Sequence, residues 1–240
     1  MDLYSWFIQN KEIFRIIYAL IIALVCLLIV LRTHKIFKLS LHQGVRYFRN
    51  AFAFYGLAFV LRYLLGSTYF FTGRTTVQSD ILTIAFEFLL IMAGFSLIYS
   101  LIYKKFEGRY ESFSSLFNLR FIIFYCLALV VAVLDILWST YLFMFVLQII
   151  LFIFASAIGY SNYKKDKGKH RFLKLFFLVM ILNLVAWIAN FAVAIFLNWL
   201  QLGVIIVSII NLVIFLAFLY SVLNTTKRKN LKYFGATKNG

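Results

Sequence analysis

The chain contains no proline, and only 8 of its 240 residues are acidic. Without proline no helix loses a backbone N–H to a ring, so any kink must come from glycine, a helical bulge or an inserted polar side chain. Transporters and receptors built around proline hinges are disfavoured on the same ground. Cysteine is scarce as well. Cys26 and Cys126 stand singly in apolar stretches, which excludes a disulfide framework and gives no metal site. The 3 histidines, His34, His42 and His170, fall in basic loops between apolar stretches. That excludes transmembrane haem ligation and the histidine-rich zinc sites of intramembrane hydrolases.

What fills the chain instead is hydrocarbon. It is 64% hydrophobic, 20% aromatic and 13% charged, whereas soluble domains are about half apolar and a quarter charged. Its mean hydropathy is +0.95. A bilayer is the solvent that suits such a sequence. The net charge of +16 sits in short runs between apolar stretches. That pattern fits loops facing an anionic inner leaflet, not a surface tracking nucleic-acid phosphates.

A membrane-crossing helix needs about twenty apolar residues. Seven segments qualify: Glu12–Leu31, Val45–Leu65, Ile81–Tyr103, Phe117–Trp138, Tyr141–Tyr163, Phe172–Trp199 and Leu202–Leu223. The expected fold is all-α: a polytopic, single-domain seven-helix bundle over residues 1–223, with a short basic tail at 224–240. Ser139-Thr140 and Leu200-Gln201 are the tightest connections and make their flanking helices antiparallel hairpins. The first segment is too long for a signal-peptide core and no small-residue cleavage site follows, so it reads as a retained helix. The tail reads as a disordered end in preference to an interfacial anchor.

Basic residues set the expected orientation. All of the 24 lysines and arginines except Lys11, Arg15, Arg62 and Arg74 fall on one set of alternate ends. Under the positive-inside rule that puts the amino terminus outside and the carboxyl terminus in the cytoplasm, with the plasma membrane as the site of residence. Trp6, Trp138 and Trp199 then cluster at the outer interface, where indole rings prefer to sit.

Two acids lie well inside spans, Glu87 and Asp135, and one base does, Arg62. Buried ionisable groups in a bilayer face protein or water and mark either an ion pair or a function. At 1.5 Å per residue all three sit in the outer half, so neighbouring helices 2, 3 and 4 can bring Arg62 to Glu87 and Asp135. The plain reading is a salt bridge that locks these helices. The sharper one is a polar pocket in which a ligand or ion competes for the arginine. Gln148, Trp187 and Asn190 lie at middle or outer depth and extend the candidate pocket. Asn183 shares the Trp187 and Asn190 face, and Ser208 and Asn211 share another. Uncharged amides and hydroxyls in membranes more often act as packing glue between helices. Gly94, Ala128, Ala132, Ser156 and Gly159 fall at spacings suited to close helix contacts.

Catalysis is not expected, since Gly94-Phe95-Ser96 has no partner histidine for a serine nucleophile. No cofactor is expected either. Seven helices, an outside amino terminus and this length resemble microbial rhodopsins, but Ile205–Leu223 holds no lysine to carry retinal. The topology also resembles the seven-helix sensor modules of prokaryotic membrane proteins. The opening of helix 2, His42-Gln-Gly44-Val-Arg-Tyr47-Phe48-Arg49, is similar to that of uncharacterised prokaryotic membrane proteins. That resemblance implies a sensor or receptor architecture and no particular ligand.

The leading expectation is thus a stand-alone receptor or sensor with an outer pocket, and with basic inner loops that meet a membrane or cytoplasmic protein partner. The alternatives are a small-solute transporter of three-plus-one-plus-three architecture and a structural or assembly subunit. The transporter reading draws on paired helix openings, His42-x-x-x-Arg46-x-Phe48 and His170-x-x-x-Lys174-x-Phe176, which hint at an internal repeat.

Overall fold

The computed structural model describes residues 11–40, 43–65, 76–106, 119–165, 171–196 and 201–236. These residues form seven helices: α1 (Lys11–Ser40), α2 (Gln43–Phe59), α3 (Thr76–Phe106), α4 (Leu119–Leu137), α5 (Leu142–Lys165), α6 (Arg171–Phe196) and α7 (Gln201–Ala236). A π-helical segment, Val60–Leu65, continues α2 and carries Arg62. With no proline present, this wider turn is the one distortion of α2, and π-turns recur at functional sites.

Five helices are long and apolar enough to cross a membrane, over Ile13–Lys38, Asp80–Ile102, Leu142–Lys164, Phe177–Phe196 and Ile205–Asn224. α4 contributes a shorter apolar stretch, Phe121–Leu137. α2 is the least apolar of the seven because Arg46, Arg49 and Asn50 stand in its first half. Two helices run past their expected ends. α1 continues to Ser40, which places His34 on a helix and not in a loop. α7 continues to Ala236 through the tail expected to be disordered. Neither stretch holds a proline, and Gly235 is the first glycine after Gly203, so nothing local stops the helix. Trp6, His42, His170 and Trp199 lie outside the described residues.

Packing follows a ring. α1 packs on α2, α2 on α3, α3 on α5, α5 on α6, α6 on α7, and α7 returns to α1. α4 stands outside it, against α3 and α5. Two runs of three consecutive helices are therefore joined at two seams, α3 to α5 and α7 to α1. The outward faces are aliphatic: Leu24, Ile123, Phe154 and Val213 are each more than half exposed. A soluble surface would not carry such a belt. Hydrocarbon would cover it without cost.

Aromatic side chains fill the middle of the ring. Phe52, Tyr55 and Phe59 of α2 meet Phe215 of α7 with centroids 6.1, 5.5 and 6.0 Å apart. Phe52 also meets Phe218 at 5.0 Å, edge to face. Tyr18 of α1 closes the group against Phe59 at 5.7 Å and Tyr63 at 6.0 Å. In a bilayer the gain would come from such close contact and not from expelled water. Small residues let the helices approach. A β-carbon at Gly56 would lie 3.1 Å from Cys26 Cβ, and Ala128 and Ala132 are fully buried.

Candidate functional site

Asp135 sits in the last turn of α4 and organises the turn into α5. Its backbone carbonyl accepts the Thr140 N–H at 2.8 Å, while Ile136 accepts from Ser139 at 2.9 Å. Ser139 between them has φ 50°. This is the left-handed stop that closes a helix by 6→1 and 5→2 hydrogen bonds, with serine where glycine is usual. Tyr141 stands immediately before α5, and its carbonyl accepts from Phe145 at 3.1 Å. A tyrosine side chain cannot reach back to the first-turn N–H groups, and Asp135 does so in its place. Its Oδ1 accepts from Phe143 N at 3.0 Å and from Thr140 Oγ1 at 3.2 Å, and its Oδ2 accepts from Met144 N at 2.7 Å. Asp135 thus ends one helix through its backbone carbonyl and caps the next through its carboxylate, where the helix dipole favours negative charge.

Glu87 of α3 is fully buried, and neither of its carboxyl oxygens receives a hydrogen bond. The charged groups that act on it are the Asp135 carboxyl and the Arg62 guanidinium.

Arg62 does not spend its charge on either acid. Its Nη1 donates to Thr83 Oγ1 at 3.3 Å and its Nη2 to the Tyr141 hydroxyl at 3.5 Å. The guanidinium carbon lies 5.2 Å from the Phe86 ring centre and 5.9 Å from that of Tyr141. Among the described residues no carboxylate is ion-paired with it. The side chain is half-buried. A guanidinium has five N–H donors, and among the described residues two long bonds to neutral hydroxyls are what it makes.

Gln148 of α5 is fully buried, and its Nε2 donates to the Leu90 carbonyl of α3 at 2.8 Å while its Oε1 has no partner. Gly94 makes room for it, since a β-carbon there would come within 2.8 Å of Oε1. The remaining candidates are elsewhere. Trp187 of α6 is buried against Phe145, 5.9 Å between centroids, and neighbours the Tyr55 hydroxyl across the ring. Asn190 turns its amide back to the Ala186 carbonyl of its own helix at 2.8 Å. Asn211 of α7 lies beside the Tyr18 hydroxyl of α1. Asn183 and Ser208 are half-buried on α6 and α7.

The arrangement therefore divides the candidates. Arg62, Glu87 and Asp135 meet at the end of the bundle that carries the α4–α5 turn. Gln148 lies deeper in the α3–α5 seam, and Trp187 and Asn190 belong to α6. Thr83, Phe86 and Tyr141, which dress the guanidinium, were not singled out by sequence. Thr83 stands four residues before Glu87 on one helical face, so spacing alone could have added it.

The fold and this cluster define a class: a helical protein with several apolar helices, suited to a membrane. No family model matches the chain, and no solved structure matches it. It is similar to an uncharacterised protein of Archaeoglobus fulgidus, 27% identical over 182 residues that cover 72% of this chain and 76% of the relative.

Proposed function

We propose that the protein is a plasma-membrane receptor or sensor module of seven transmembrane helices, with its amino terminus outside. The α4–α5 turn then faces the exterior and the basic ends face the anionic inner leaflet and a protein partner. The ligand is an anion, a carboxylate or a phosphate group, that engages Arg62 at the outer end of the bundle. Neither catalysis nor a bound cofactor forms part of this reading.

The observation that carries it is the state of Arg62. A membrane-buried cation usually sits against a carboxylate, and here two carboxyl groups are close while its hydrogen bonds go to Thr83 and Tyr141. An incoming anion could add charge-assisted, two-pronged bonds, for which a guanidinium is the preferred donor. The ring of two helix triplets favours a second reading, a small-solute transporter. The aromatic packing of Phe52, Tyr55, Phe59 and Phe215 across the ring counts against a path through it.

Thermal-shift measurements on the detergent-purified chain test the proposal, using small carboxylates, inorganic phosphate and an anionic phospholipid as probes. At least one probe should raise the melting temperature of wild type and leave Arg62→Gln unmoved. No shift with any of them, or equal shifts in both proteins, would overturn it.

A further inference from the structure

We propose that Glu87 and Asp135 form a proton-binding site in which one proton is held between the two carboxyl groups, tying α3 to the α4–α5 turn. The hydrogen bonds that the two carboxyl groups make and lack point to it, independently of any ligand at Arg62. Asp135 already receives three hydrogen bonds, two of them from first-turn N–H groups of α5. Those donors occupy acceptor positions on both of its oxygens, at the helix end where negative charge is favoured. Glu87 is the second observation. It is fully enclosed, faces that carboxylate, and has no donor at either oxygen.

A second bare carboxylate in this place would be buried, unsolvated and beside a like charge, the arrangement proteins avoid. The charged groups facing Glu87 are Asp135 of α4 and Arg62 of the π-helical segment. The guanidinium is turned to Thr83 and Tyr141 and supplies Glu87 no hydrogen bond. A proton taken from the aqueous side supplies the missing donor. Glu87 then carries the O–H, donates it to Asp135, and the pair holds a single negative charge. Arg62 balances that charge at a distance without being consumed by it.

Infrared spectroscopy of the purified full chain at neutral pH tests this directly. Wild type should show a protonated carboxyl C=O band that moves down in frequency in deuterated water. The band should move again when the protein is made with carboxyl-13C glutamate, and vanish in Glu87→Gln. Isotope labelling assigns the band without requiring any variant to fold. Absence of the band in wild type, or a band that glutamate labelling does not move, overturns the proposal. Neither result bears on whether anions bind Arg62, which the thermal-shift comparison reads separately.

Discussion

Asp135 on α4 caps α5: its Oδ2 accepts the Met144 N–H at 2.7 Å and its Oδ1 the Phe143 N–H at 3.0 Å. A carboxylate that sequence marks as an ion-pair partner is thus first of all the residue that builds a helical hairpin. Around it gather Glu87 and Arg62, so the turn and the candidate site share one foundation.

Loss of this carboxylate is expected to be costly. Asp135→Asn keeps one acceptor and gives up the charge, and Asp135→Ala leaves two first-turn N–H groups without a partner. Caps and buried charge-assisted bonds are worth about 1–3 kcal/mol. Both variants should melt below wild type in detergent, with Ala the lower.

Ser139 holds φ 50° in the same turn. A non-glycine residue in the left-handed region carries a penalty of about 1 kcal/mol. Ser139→Gly should therefore match or exceed wild-type melting temperature. Ser139→Val, with a branched β-carbon, should fall below it.

Gly94 and Gln148 are expected to be coupled. Alanine at Gly94 meets Gln148 Oε1 at 2.8 Å and Leu151 Cδ1 at 3.1 Å. Gln148 cannot swing away without breaking its bond to the Leu90 carbonyl. Overpacking of this kind costs about 1–3 kcal/mol. Gly94→Ala should destabilise wild type clearly, and less so in a Gln148→Ala background, as a double-mutant cycle of melting temperatures would reveal.

Helix positions were largely legible in the sequence, because long apolar runs mark the helices and a chain without proline gives them no reason to break. The second helix illustrates this. Val45–Leu65 was expected, and α2 with its π-helical segment covers Gln43 to Leu65. The π-turn itself has no residue signature. α1 and α7 run on past their apolar stretches to Ser40 and Ala236, because hydropathy reports where lipid would end, while a helix stops only at a breaker.

The site was legible in membership and not in bonding. Helical spacing could place Arg62, Glu87 and Asp135 at one depth. It could not reveal that Asp135 reaches eight and nine residues ahead across a turn, or that Arg62 finds Tyr141, 79 positions away. Nor does spacing tell whether an amide points across a seam. Gln148 does, while Asn190 satisfies itself on the carbonyl four residues back.

Among the described residues Arg62 is committed to no ion pair, and the ligand site depends on this. A double-mutant cycle of Arg62→Ala, Glu87→Ala and the combined variant, read as stability in detergent, tests it most directly. The account predicts near-additive losses, with a coupling energy below about 0.5 kcal/mol. Large losses for each single change and little further loss in the double would identify a structural salt bridge and contradict the ligand site.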